Sequence, residues 1–143
     1  MNNKYLYLPF IFGHLMYPII TLAEDPNINP EKYCSENNAV SEAMCLSYRA
    51  DKADAELNRV YKELMKKITN NKFMPENIRK IYKKKQIKAQ RLWVKFKEVE
   101  CNEVSEYLVW GASGSGVSSA HWGCILYVTK QRTKNLKEMH SIK

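Results

Sequence analysis

Several absences narrow what this 143-residue chain can do. It holds four cysteines but no C-x-x-C pair, and beyond residue 23 its only histidines are His121 and His140. Thiol redox chemistry and a zinc site therefore lack the close ligand spacing they ordinarily use, and neither a metal nor a cofactor is expected. The single glycine-rich stretch, residues 111–116, does not end in Gly-Lys-Ser/Thr, so no phosphate-cradling loop is present. Ser115, Ser118 and Ser119 lie near His121 without an acidic residue specified to orient it, which is no triad. No residue is expected to be catalytic. There is no long linker, no fixed-period repeat and no low-complexity tract, which leaves a single domain.

A long uninterrupted apolar run is also missing. The stretch 5–20 is apolar but broken by Pro9, Gly13, His14 and Pro18, and it barely approaches the roughly 20 residues of a spanning helix. Lys4 before it and the small-residue run Thr21-Leu22-Ala23 after it have the order of a secretory signal, with cleavage expected after Ala23. Residues 24–143 are then the exported domain, periplasmic or secreted, in a compartment where cysteines oxidise.

Apolar spacing sets the expected elements. Ala43, Leu46, Ala50, Ala53, Leu57, Val60, Leu64 and Ile68 recur at steps of three and four, predicting an amphipathic helix over 40–69. Pro75 is suited to open a second helix over 75–107, with the stripe Ile78, Tyr82, Ala89, Leu92, Trp93, Phe96 and Val99 inward and Lys85 breaking it. A third helix is expected from Ser118 or Ser119, turning Trp122, Ile125, Leu126, Thr129, Leu136 and Met139 inward. The expected fold is all-α, a long antiparallel helical hairpin with a third packed helix, stapled at one end. In such a hairpin Cys34, Cys45, Cys101 and Cys124 gather at one pole. Three pairings are open to them and the sequence alone does not choose; Cys34 with Cys45 and Cys101 with Cys124 are favoured because each closes a short loop.

Cys34, the run SEAMC ending at Cys45, ADAELNRVYKEL over 53–64, AQRLWVKFKEVEC over 89–101, the glycine loop, and Cys124 followed by Thr129 and Arg132 together resemble the LprI-like lysozyme inhibitor family over nearly all of residues 24–143. The resemblance implies a small, exported, mostly helical bacterial protein that acts on a protein partner, with Asp54, Leu57, Asn58, Tyr61, Gln90, Trp93 and Arg132 at the family's motif positions. One departure is Lys97-Glu98, where relatives usually show arginine-aspartate; a bidentate guanidinium pair is unavailable there. Leu57 and Trp93 at helical spacing are expected in the core. Asn58 and Gln90 are expected to hydrogen-bond across the hairpin, and Tyr61 to sit in the core or at its rim.

Charge divides the chain. The net charge is +8, and between Lys62 and Arg91 eleven basic residues stand against Glu63 and Glu76. Acidic residues, Glu98 and Glu103 among them, gather toward the cysteine pole. The molecule is expected to be a dipole, basic at the hairpin tip. Inhibition of a lysozyme or another cell-wall hydrolase would be occlusion without chemistry, through the acidic face (Glu98, Glu103), through a basic side chain entering the carboxylate cleft, or with Trp110 as an anchor. Two other classes share the same export logic. Lys83, Lys84 and Lys85 suit anionic lipid or lipopolysaccharide, and immunity to a delivered toxin needs the same occlusion. Nucleic acid is not expected of an exported chain, which is expected to be a monomer.

Overall fold

The computed structural model describes residues 29–105 and 114–142. The signal segment, Trp110, the expected end of the second helix near residue 107 and most of the glycine loop lie outside them. After a short 3-10 helix, Pro30–Ser35, come α1 (Ala39–Asn70), α2 (Glu76–Val99), a π-helical turn (Glu100–Val104) and α3 (Ser115–His140). The fold is all-helical with three packed helices, as the periodicity predicts.

Local chemistry sets the ends. The Asn38 side chain accepts the Ser41 N–H at 2.9 Å and starts α1, with Glu42 in the first turn where the helix dipole favours an anion. Pro75 stands as the N-cap of α2, one residue before its expected place. The third helix begins at Ser115, earlier than expected, because Gly114 at φ 64° takes the cap position that Ser118 or Ser119 was expected to fill. It ends where Ser141 adopts a left-handed φ of 50°, and the Ile142 N–H then donates to the Lys137 carbonyl at 3.0 Å. That reversal folds Ile142 back into the core.

The core runs along the seam between α1 and α3. Leu57, Val60, Leu64 and Ile68 of α1 meet Leu136 and Ile142, with Tyr61, Met65, Tyr82 and Trp93 packed around them. α3 runs parallel to α1: Leu46 approaches Gly123 near their starts, and Lys67 reaches the chain at His140 near their ends. α2 descends antiparallel beside the pair.

The apolar stripe expected to face inward on α2 meets the core along one margin only. No residue of α2 is buried, and Ile78, Leu92, Phe96 and Val99 are exposed, as is Ala89; only Tyr82 and Trp93 of that stripe pack on the core. The physical reason is that α2 is held mainly through long polar side chains, Gln86, Gln90 and Lys97, which share the inward face at helical spacing with Tyr82 and Trp93. Met139 of α3 is likewise exposed, whereas Thr129 and Leu136 are buried and Trp122, Ile125 and Leu126 half-buried.

Both disulfides take the favoured pairing. Cys34 bonds Cys45, with Cα atoms 4.9 Å apart, and ties the 3-10 helix to α1. Cys101, carried inward by the π-helical turn, bonds Cys124 of α3 at a Cα separation of 5.5 Å. His121 Nδ1 lies 3.0 Å from the Cys101 carbonyl and secures the same junction.

Candidate partner-binding surfaces

A polar layer under α2 holds most of the motif residues. Lys97 donates to the Asp54 carboxylate at 3.3 Å and stands 5.2 Å over the Trp93 ring, joining α2 to α1 through one ammonium. A lysine offers only this point contact, without the two-pronged fork of a guanidinium. Arg132 Nε donates to Gln90 Oε1 at 3.2 Å and joins α3 to α2. Gln90 thus bonds across helices, toward α3. Asn58 does not cross: its amide donates at 2.9 Å to Asp54 on its own helix, and the residue is exposed. Leu57 is fully buried, while Tyr61 is half-buried, and that burial pushes its phenol above the ordinary value.

At the other end, His140 Nδ1 lies 3.1 Å from the Tyr82 hydroxyl and its Nε2 3.5 Å from the Gln86 amide. Lys67 donates to the His140 carbonyl at 2.7 Å, so all three helices meet around this imidazole. Burial, with Arg132 and Lys67 nearby, holds its pKa below the usual 6.5.

The α1–α2 turn forms the basic tip. Arg79 reaches back from α2 to donate to the Asn71 carbonyl at 2.9 Å and the Met74 carbonyl at 2.8 Å. The Asn71 side chain accepts the Phe73 N–H at 3.0 Å, an Asx-type closure. The turn so held presents Lys72 as an exposed cation and Phe73 with no burial at all. Lys83, Lys84 and Lys85 are exposed on the adjoining part of α2. This tip residue pair was missed in the sequence; the flanking Asn71 and Pro75 signal a turn but not which side chain it displays.

Glu98 and Glu103 are exposed at the stapled pole, on either side of the start of the π-helical turn. On the flank away from α2, a groove of about 670 Å³ between α1 and α3 is lined by Arg49, Lys52, Lys130, Lys134 and Lys137 with Glu56 and Glu138. Hydrogen bonds from Arg59, then from Lys137 at 2.7 Å, hold the Glu56 carboxyl down to about 2. Among the described residues no cluster of three or more His, Cys, Asp or Glu is placed to hold a metal, and no helix is long and apolar enough to cross a membrane.

A family model described as "Lysozyme inhibitor LprI" matches residues 34–136, which span the stapled body from the first cysteine to the core residue Leu136. Neither a curated protein nor a solved structure matches the chain.

Proposed function

The chain belongs to the lysozyme inhibitor LprI family, and from that premise we propose that it is exported by cleavage after Ala23 and blocks a peptidoglycan-cleaving enzyme by occluding its cleft, performing no chemistry itself. The observation that carries this reading is the α1–α2 turn. Glycosidases of this kind work with two carboxylates flanking the scissile bond. Lys72, backed by the lysines of early α2, supplies a cation to such a cleft, and the bare ring of Phe73 supplies apolar area that only a partner can bury. Because Arg79 and Asn71 already fix the backbone, little ordering entropy is lost on insertion. Many lysozymes are themselves basic, so the net charge of +8 opposes long-range approach and the contact must win by local fit.

The test is residual activity of C-type, G-type and I-type lysozymes on peptidoglycan, titrated with the oxidised chain from Glu24. Saturable inhibition of one class is expected, with the Lys72→Glu/Phe73→Ala pair raising the half-inhibitory concentration at least about tenfold, the loss typical of a central anchor. Glu98→Lys/Glu103→Lys at the opposite pole should leave it within a few-fold. Full activity of all three enzymes in saturating folded protein would overturn occlusion, and equal loss in both variants would overturn the choice of face.

A further inference from the structure

We infer that α2 carries a second docking surface, one that lies along an anionic phospholipid bilayer. Ile78, Ile81, Lys85, Lys88, Leu92 and Val99 succeed one another at steps of three, four, three, four and seven, and Phe96 stands beside the same line. A helix turns 100° per residue, so these positions share one face. The five apolar side chains on it are 44 to 57 % exposed, and none of them is used by the core. The face runs about 30 Å, the rise of the intervening helix.

Chemistry selects the occupant. α2 holds nine lysines and arginines, and its only acids, Glu76 and Glu98, sit at its two ends. In the long interior between them every charged residue is basic. Lys84 and Lys95 flank the apolar line and Lys85 and Lys88 lie within it. Among the described residues none of the four has an ion-pair partner, whereas Lys80 and Lys97 are paired with Glu76 and Asp54. A compact protein hot spot would cluster its aromatic and arginine anchors at the centre with a polar rim. Here the centre is two lysines and the apolar groups extend toward both ends of the helix. Such a layout suits a plane of phosphates above hydrocarbon: the lysine stems lie along the apolar boundary with their ammonium groups at the phosphates, while leucine, isoleucine and phenylalanine enter the acyl edge. Since no described helix is long and apolar enough to span, α2 would lie parallel to the surface, with α1 and α3 behind it in water. This inference is independent of the hydrolase reading, because it uses the side of α2 turned away from the core rather than the turn at the tip.

Vesicle co-sedimentation decides it, using the oxidised chain from Glu24, which contains every core residue described above, with phosphatidylglycerol/phosphatidylethanolamine vesicles and phosphatidylcholine vesicles in parallel. Binding to the anionic vesicles alone is expected, weakening as salt rises. Lys84→Gln/Lys85→Gln/Lys88→Gln should reduce partitioning about a hundredfold, at roughly fivefold per cation. Leu92→Glu/Phe96→Glu should reduce it at least about tenfold. Lys52→Gln/Lys130→Gln/Lys134→Gln removes the same charge from the opposite flank and should change it only a few-fold. Every substituted residue is an exposed side chain outside the core, Lys134 with an ion pair to Glu138 at 3.9 Å, and either α2 variant, folded by circular dichroism, suffices for the comparison. No binding to anionic vesicles, equal loss from the opposite-flank variant, or a lipid-free dimer dispersed by Leu92→Glu/Phe96→Glu would overturn the inference.

Discussion

His140 is the residue on which the three helices converge, and its chemistry is pH-dependent. Its pKa in the folded protein is lowered, chiefly by burial and then by Arg132 and Lys67, so the unfolded chain binds the proton more readily. Stability therefore rises with pH across the window: it is fully present above 6.5 and declines as pH falls through the lowered folded value. Glu56 adds a second acid limb. Its carboxyl is lowered to about 2, so its contribution is present above its ordinary 4.5 and fades as pH drops toward 2, weakened by solvent because the group is substantially exposed. Thermal midpoints from pH 7.5 to 2.5 should thus fall in two stages, with His140→Gln flattening the upper and Glu56→Gln the lower. A His140→Gln protein that keeps the full upper stage would show that another group carries it. None of this was visible in the sequence, where His140 lies beyond the third helix's apolar pattern and its partners Tyr82 and Gln86 are more than fifty residues away.

Helices differ in how readily their packing could be read. In α1 the apolar steps coincide with the buried face, because the helix is clasped by α3 along its length and its polar residues are left to solvent. In α2 the same criterion gathered one broad apolar stripe of which only the margin carrying Tyr82 and Trp93 meets the core, since amphipathicity reports that a helix has an apolar side without saying how much of that side the core covers. The break at Lys85, visible in the sequence, belonged to the outer face. Substitution separates the two cases. Leu64→Ala should cost about 3 kcal/mol, within the range for emptying a buried leucine site, whereas Leu92→Gln, at a position 57 % exposed, should stay within about 0.5 kcal/mol. Urea denaturation of both variants checks this, and a comparable loss at Leu92 would mean that α2 packs by its outer face.

On the scale of the whole molecule, a basic tip and an acidic stapled pole are held apart by parallel α1 and α3 with α2 between their flanks and solvent. The Cys101–Cys124 bridge spans 23 residues of sequence and ties the π-helical turn after α2 to α3. Its removal by paired serine substitution should lower unfolding free energy by about 3 kcal/mol on the loop-entropy account. The Cys34–Cys45 bridge closes 11 residues and anchors only the 3-10 helix. Its loss should appear first as faster amide exchange in Pro30–Ser35, with α1 and α3 still protected. Loss of protection throughout α3 in that variant would show that the bridge supports the whole body.

Helix periodicity, capping residues and ordered cysteines are local or collinear signals, and they sufficed for the all-helical class, the extent of α1 to within a residue at each end, the gathering of the cysteines at one end and membership of the family. Packing in three dimensions was needed to place the core between α1 and α3, to bring Gln90 to Arg132 while Asn58 stays on its own helix, and to leave the outer side of α2 and the ring of Phe73 uncovered. Those outcomes depend on which helix faces meet, and helices far apart in sequence carry no local record of one another's orientation.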